Sequence, residues 1–415
     1  MFEAFQERDY RRFWVSQFFS NIGSWMQTVA QGYLVYRLTD SAFLLGFVGF
    51  ASSIPSFFLM LFGGVIADHF DRRRVVRLSQ WAQALSALGL AAAIYTGHIA
   101  VWHIVVAAVV SGIAISFSAP AWQAMVLDLL DDRSRLANAV AMNSLQFQLS
   151  RALGPLLAGL ALSTYGPFWC FFFNAVSFLP LIWILGRLKP RQQPVESTGA
   201  LWARLREGFA YVRSQRVIVL VLLIAAAASA FGYPYINLMP MVARQLFRAN
   251  EARGLGYLMT AIGGGAMIGS LALSVRTPPR HAMLPTIVIL LTIFGAALAG
   301  VGFVHWQGAV FALLVVCGAT MVTCLALCNT TIQRRVPDFM RGRVLSMYTF
   351  SFYAFLPFGN LASGVIAEHR GIGVTLALFG AALLVSAMLA AVALRTRKRG
   401  GTLYGEVKVP TTVDF

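Results

Sequence analysis

The stretch "GGVIADHFDRRRVV", Gly63 to Val76, runs an apolar helix straight into a knot of charge. Asp68, His69, Asp71, Arg72, Arg73 and Arg74 fall within seven residues, and apolar sequence resumes at once. A second stretch, "SGVIAEHRGIG" (Ser363 to Gly373), repeats the first half of the pattern and omits the arginine cluster. Two apolar runs joined by a short charged turn read as a membrane hairpin, and the rest of the chain bears on that reading.

The 415 residues are 58% hydrophobic and only 12% charged, with mean hydropathy +0.70, whereas soluble domains carry about 25% charge. The polar start, "MFEAFQERDYRRFW", does not resemble a cleavable leader. Apolar runs of about 20 residues, enough to cross a bilayer, recur near 13–36, 43–67, 75–96, 104–127, 139–163 and 168–186. Six more lie near 217–240, 255–275, 282–303, 308–331, 344–367 and 372–394. Backbone polar groups in lipid must be satisfied within a helix or a closed barrel. Barrel alternation is absent, so the expectation is an all-α membrane protein of twelve transmembrane helices.

A formal net charge of +17 points to nucleic acid when it sits on a soluble surface. Its distribution here says otherwise. With the N-terminus inside, 27 of the 33 Lys and Arg fall in inner segments, five fall in outer loops, and Arg151 lies within a span. This is the positive-inside asymmetry. Both termini are expected on the cytoplasmic side, and no nucleic-acid partner is expected.

The segment 187–216 divides the spans six and six. It begins as a Pro-containing linker and continues as "ALWARLREGFAYVRSQR", an amphipathic helix suited to the inner leaflet. The expected organisation is an N-terminal six-helix bundle (1–186), a cytoplasmic linker (187–216), a C-terminal bundle (217–398) and a cytoplasmic tail (399–415). Residues 124–159 align without gaps on 329–364 at an offset of 205, matching Met142/Met347, Phe147/Phe352, Gly154/Gly359, Leu156/Leu361 and Gly159/Gly364. Two pseudo-symmetric six-span bundles of this kind are the layout of alternating-access carriers.

The hairpin loop resembles the major facilitator superfamily pattern Gly-x-x-x-Asp-basic-x-Gly-basic-basic, standing here as Gly64-x-x-x-Asp68-His69-Phe70-Asp71-Arg72-Arg73. "SQFFSNIGSWMQTVAQGYLVYRLTDSAFLLG" (Ser16–Gly46), "SRALGPLLAGLAL" (Ser150–Leu162) and "RRVPDFMRGRVLSM" (Arg334–Met347) resemble the branch holding bacterial enterobactin exporters and macrolide efflux pumps. The resemblance covers nearly the whole chain. It implies the major facilitator fold and a gating latch in which Asp68 docks near Arg341 and Arg343 on the eleventh span, with Gly64 and Arg72–Arg74 supporting it. His69 and Asp71 depart from the pattern, replacing a permanent cation and a glycine.

The fifth-span stretch Ala152–Gly159 resembles an exporter element of the same superfamily, and Gly154, Pro155 and Gly159 equally suit a packing kink. Arg151 is a cation inside a span, a functional-site candidate by position, with Gln148 one turn before it. All 16 Asp and Glu fall in loops, tails or span ends. Coupling to protons is therefore implied by the family, with Asp128, Asp68, Asp40 and Glu368 as the remaining groups. The resemblance also assigns the cavity to spans 1, 4, 7 and 10. There Asn21, Trp25, Thr28, Gln31, Trp122, Tyr233, Asn237 and Thr320 offer aromatic and neutral polar surface for a bulky amphipathic small molecule. Cys317, Cys324 and Cys328 share a helix face, which reads as packing or, less simply, as a soft-metal site. No Walker loop, G-x-S-x-G or H-E-x-x-H occurs. The expectation is a monomeric, proton-coupled exporter in a bacterial cytoplasmic membrane without a cofactor. An importer, an uncoupled facilitator and a non-transporting membrane receptor or scaffold are the alternatives.

Overall fold

The computed structural model describes residues 3–130, 132–188 and 201–398; side chains at 61–69, 127, 133, 137, 201–205, 338–339 and 396–398 lie outside the description. No strand occurs among the described residues. Six spans come first: α1 (Arg8–Thr39), α2 (Ala42–His69), α3 (Arg72–Tyr95), α4 (Val101–Asp128), α5 (Leu136–Thr164) and α6 (Pro167–Arg187). The linker helix α7 (Leu201–Ser214) follows. The seventh span opens as α8 (Arg216–Ala227) and closes as α9 (Met239–Leu246). After it come α10 (Glu251–Val275), α11 (Met283–Phe303), α12 (Gln307–Arg335) and α13 (Asp338–Lys398). The last contains two spans, broken at Gly371, whose φ of 80° belongs to glycine's territory.

Among the described residues eight stretches are long and apolar enough to cross a bilayer, and Met340–Arg395 among them holds two spans. The spans α1, α3 and α5 are not among the eight. The first is interrupted by Gln17, Asn21, Gln27 and Gln31, the second opens on three arginines, and the third carries Gln146, Gln148 and Arg151. Their polar residues are spent inside the protein or at its faces. The lipid-facing surface is apolar, with Leu85, Leu223 and Leu389 all exposed.

The seventh span is not a regular helix. A wide turn over Ala228–Gly232 and a tight one over Pro234–Leu238 separate α8 from α9. Pro234 and Pro240 each lack a backbone donor, so the regular ladder fails locally. Irregular backbone at membrane depth is tolerated where it lines a cavity or is buried in protein, and Tyr233, Ile236 and Asn237 line one.

Within the first half, α1 packs on α5 and α6, α2 on α4, and α3 on α4 and α6. Within the second, α11 packs on α12 and α13, α10 on α12, and α8 on α13. The halves meet along two seams, α5 against α10 and α2 against α13.

The sequence repeat recurs as packing. A Cβ on Gly159 would stand 2.8 Å from the Gly256 Cα across the first seam, and one on Gly364 would stand 2.8 Å from the Gly46 Cα across the second. Gly159 and Gly364 are the aligned pair. Within each half, Gly154 lies against Ile22 and Trp25 of α1, and its mate Gly359 lies against Ala230 of the seventh span. The aligned residues thus make equivalent contacts to equivalent helices. Lipid supplies no hydrophobic drive for helix association, so close backbone approach through small residues has to hold such seams.

Replacing Gly159 by Leu forces α5 from α10 and should destabilise the folded protein by about 1–3 kcal/mol, lowering its thermal midpoint in detergent. Gly89→Leu, at a position with no atom within 4 Å of the added Cβ, should leave that midpoint unchanged. Equal midpoints in the two variants would contradict the seam.

Candidate functional site

A central cavity of about 600 Å³ lies between the seams. On α1 it runs from Gln17 to Val35, about 27 Å at 1.5 Å per residue. Asn21, Trp25, Thr28, Gln31, Trp122, Tyr233 and Asn237 all line it. Thr320 does not. Its hydroxyl turns back onto the Val316 carbonyl at 2.6 Å, and no residue of α12 reaches the cavity lining. Spans 2, 3, 5 and 11 contribute instead, through Ser53, Gln80, Gln83, Asn143, Tyr353 and Asn360 among others. The serines of α2, at Ser52, Ser53 and Ser56, were readable as a polar strip on an apolar helix.

Among the described residues no charged side chain lines this cavity. Its polarity comes from amides and hydroxyls. Some are engaged: Gln17 donates to Asn21 at 2.8 Å, and Asn174 donates to Gln27 at 2.7 Å. Others are buried without a partner, namely Gln17 Oε1, Gln31 Nε2 and Gln80 Oε1. They are two acceptors and one donor left unpaired in residues of the cavity wall. Two aromatic pairs flank the space in matching positions. The rings of Trp25 and Phe147 stand edge-on at 6.1 Å, and those of Tyr233 and Phe352 at 5.8 Å. Phe147 and Phe352 are another aligned pair.

At the arginine-rich face, Asp71 caps α3 by accepting from the backbone N–H groups of Arg73 and Arg74 at 2.9 and 3.4 Å. That explains an acid where the family pattern has glycine: it satisfies two orphan donors at a positive helix end. Arg73 pairs with Asp71 and donates to the Leu188 carbonyl at 2.6 Å, and Arg74 also pairs with Asp71. Arg72 meets Asp128 at 2.9 Å, with both side chains about one-tenth exposed. Asp71 and Asp128 belong to the first half, and Leu188 stands at the start of the linker. Arg343 pairs with Glu207 of α7, and Arg341 stands in the first turn of α13. Gly64 and Asp68 lie at the end of α2, where side chains are outside the described residues.

At the opposite face the halves are tied directly. Asp40 pairs with Arg244, which also approaches Glu251 at 3.8 Å and lies over the Tyr36 ring at 5.4 Å. Glu368 ends the echoed stretch "GVIAEH". Its carboxylate accepts from the Phe43 backbone N–H at 3.0 Å and the Ser41 hydroxyl at 3.2 Å. An acid is thereby set on the N-terminus of α2, the positive end of its dipole. Deeper in, Asn360 donates to the Gly49 carbonyl at 3.0 Å and accepts from Asn237 at 2.9 Å.

The fifth span divides its faces. Gln148 turns to the seam and donates to Ser270 at 2.7 Å, so it is not the neighbour of Arg151 that the spacing suggested. Pro155 offers its carbonyl beside Gly256. Arg151 is 7% exposed and holds its guanidinium 5.6 Å from the Trp25 ring centroid. Asp128, the nearest acid to the cavity by sequence on α4, is committed to Arg72.

Comparison with known proteins agrees with this architecture. Solved structures of a bacterial homolog of the human lysosomal transporter Spinster, inward-facing and occupied, and of a D-xylose–proton symporter superpose with TM-scores of 0.73 and 0.72. At 13% identity, over 97% and 91% of this chain and 100% and 97% of theirs, they bear on the fold alone. The chain is 25% identical to the staphyloferrin A transporter of Staphylococcus aureus, across 91% of itself and 94% of that protein. It is also 25% identical to the multidrug efflux pump Tap of Mycolicibacterium fortuitum (91% and 93% covered) and to the enterobactin exporter EntS of Shigella flexneri (82% and 80%). The family described as transmembrane secretion effector matches residues 1–401. With its all-helical, twelve-span fold, the chain belongs to that family of major facilitator membrane transporters.

Proposed function

We propose that this chain is a secondary active exporter of bulky amphipathic organic compounds, working by alternating access and coupled to protons. The observation that carries the reading is the neutral, amide- and aromatic-lined cavity standing between two pseudo-symmetric halves. A surface of this kind suits a large, mixed-polarity molecule better than a small ion, which needs a compact charged or dipolar cage. The similar proteins, two siderophore transporters and a drug pump, support the same class.

The arginine-rich face lies in the cytoplasm on this reading, with both termini and the linker 187–216 on that side and bundles at 1–186 and 217–398. The Asp40–Arg244 pair and the Glu368 cap on α2 form the outer gate. Asp68, docking on the start of the eleventh span beside Arg341 and Arg343, forms the inner one. The paired "GVIADH" and "GVIAEH" stretches then have one job at two faces: each sets an acid on a helix N-terminus of the other half. With no carboxylate in the cavity lining among the described residues, proton coupling falls to the gate carboxylates. The chain acts as a monomer, since one cavity is enclosed by one copy.

In a pump-deficient bacterium, expression should lower accumulation of fluorescent drugs or a catechol siderophore, and an uncoupler should abolish the difference. Raised accumulation would reverse the assigned direction. The outer gate has its own test. Each exposed charge or dipole contact is worth about 0.3–1 kcal/mol, so Asp40→Asn with Glu368→Gln should raise outward opening about threefold or more. A cysteine placed at Thr28, in the cavity, reads this as faster reaction with an impermeant thiol reagent added outside. An unchanged rate would remove both residues from the gate.

A further inference from the structure

We infer that Arg77, Arg187 and Trp183 form a headgroup site for an anionic phospholipid, where α3 meets α6 at the arginine-rich face. The site stands whatever the direction of transport.

The two helices pack side by side in opposite directions. Arg73 reaches the Leu188 carbonyl at 2.6 Å, Arg77 reaches Gly186, and Ala84 packs with Ile182 and Phe178. Each helix carries a tryptophan four residues from an arginine, Arg77 with Trp81 on α3 and Trp183 with Arg187 on α6. Residues four apart share a helix face. Both arginines therefore stand at the arginine-rich end of the pair, and both tryptophans about 6 Å deeper at 1.5 Å per residue. Tryptophan beside a cation at a span end is the pattern of a membrane–water boundary. Leu78, Trp81, Leu85, Leu179 and Trp183 are all exposed, an apolar surface that lipid chains cover.

The two cations are brought together. A Cβ on Gly186 would stand 3.3 Å from Nη1 of Arg77, so that guanidinium rests where α6 has no side chain. Arg187, the next residue, turns back over the Trp183 ring, 3.9 Å from its centroid. Cα–Cβ bonds tilt toward a helix's N-terminus, so Arg187 leans into the bilayer while Arg77 leans toward the water. One guanidinium lies at Gly186 and the other over Trp183, within a turn of α6. Neither α3 nor α6 contains an acid. Asp71, before α3, is held by Arg73, Arg74 and the helix cap. Among the described residues Arg77 and Arg187 form no ion pair.

Two like charges at one helix crossing repel unless an anion lies between them. A guanidinium takes phosphate oxygens through parallel hydrogen bonds, and the Trp183 ring attracts Arg187 without supplying an acceptor. The exposed leucines beside the arginines suit the chains of a lipid better than a free anion. A zwitterionic headgroup would bring its own ammonium to the same place, so the site selects a lipid of net negative charge.

The full chain in detergent, titrated with phosphatidylglycerol or phosphatidylcholine of the same acyl chains and read by native mass spectrometry, tests this. The first phosphatidylglycerol should bind about tenfold more tightly or better, the scale of two arginines beside an anionic headgroup. Arg77→Gln with Arg187→Gln should erase the preference. Arg276→Gln with Arg280→Gln, beyond α10, should not. Gly186→Leu keeps every charge but fills the space beside Arg77, and should weaken phosphatidylglycerol alone. All five positions are exposed, so folding should survive, and Arg187→Lys should retain part of the preference. Equal affinities for the two lipids would overturn the site, and that comparison needs no variant. So would equal losses from the two arginine pairs, the mark of diffuse attraction, or displacement of the lipid by inorganic phosphate. Uncoupler-sensitive export without the lipid preference would remove the site and leave the exporter reading.

Discussion

Close backbone contact at two glycine pairs, Gly159 with Gly256 and Gly46 with Gly364, is the constraint on which the rest of the molecule depends. Lipid tails are as apolar as the helices they surround, so the halves gain little from burying leucine against leucine. Shape has to supply what the hydrophobic effect does not. A pair of glycines lets α5 meet α10, and α2 meet α13, without side chains between the backbones. Each seam is made mainly by one helix from each half. Two such seams stand on either side of the cavity and join the halves.

The polar residues follow from that arrangement. A neutral amide at membrane depth is tolerable when it faces a cavity or another amide, as Gln27 and Asn174 do. Formal charge is kept to the two faces, where water and helix ends stabilise it. There it does different work: Arg72, Arg73 and Arg74 fasten to Asp128, Asp71 and the Leu188 carbonyl within one half, while Asp40, Arg244 and Glu368 link one half to the other. Among the described residues Arg151 is the exception, buried within α5 with its guanidinium at the Trp25 ring.

Most of the fold was legible in the sequence because spanning a bilayer demands length and apolarity, and twelve runs meet that demand once their polar interruptions are forgiven. The offset of 205 was legible too, and the glycines it aligned turned out to occupy equivalent places. Local chemistry was harder to read. Gln148 and Arg151 are three residues apart, yet a helix turns them to different neighbours, and only the position of α10 decides which. Thr320 looked like cavity lining because hydroxyls are polar, but a threonine in a helix can satisfy itself on its own backbone, as this one does. Asp71 looked like a defect in the family pattern and is a helix cap. The serines of α2 and the glutamines of α3 line the cavity from outside spans 1, 4, 7 and 10, to which the family resemblance assigned it.

In the proposed transport cycle the halves pivot on the two seams and open at one face as they close at the other. Paired spin labels measure this directly, since the four native cysteines are buried and labels at exposed positions would dominate. One pair, at Leu38 and Arg248, reports the face of the Asp40–Arg244 tie. A second, at Ser134 and Arg280, reports the arginine-rich face. Double electron–electron resonance should find two distances for each pair, with the short population at one face rising as the short population at the other falls when substrate or pH is changed. A single unchanging distance at both faces, or lengthening at both together, would contradict the account.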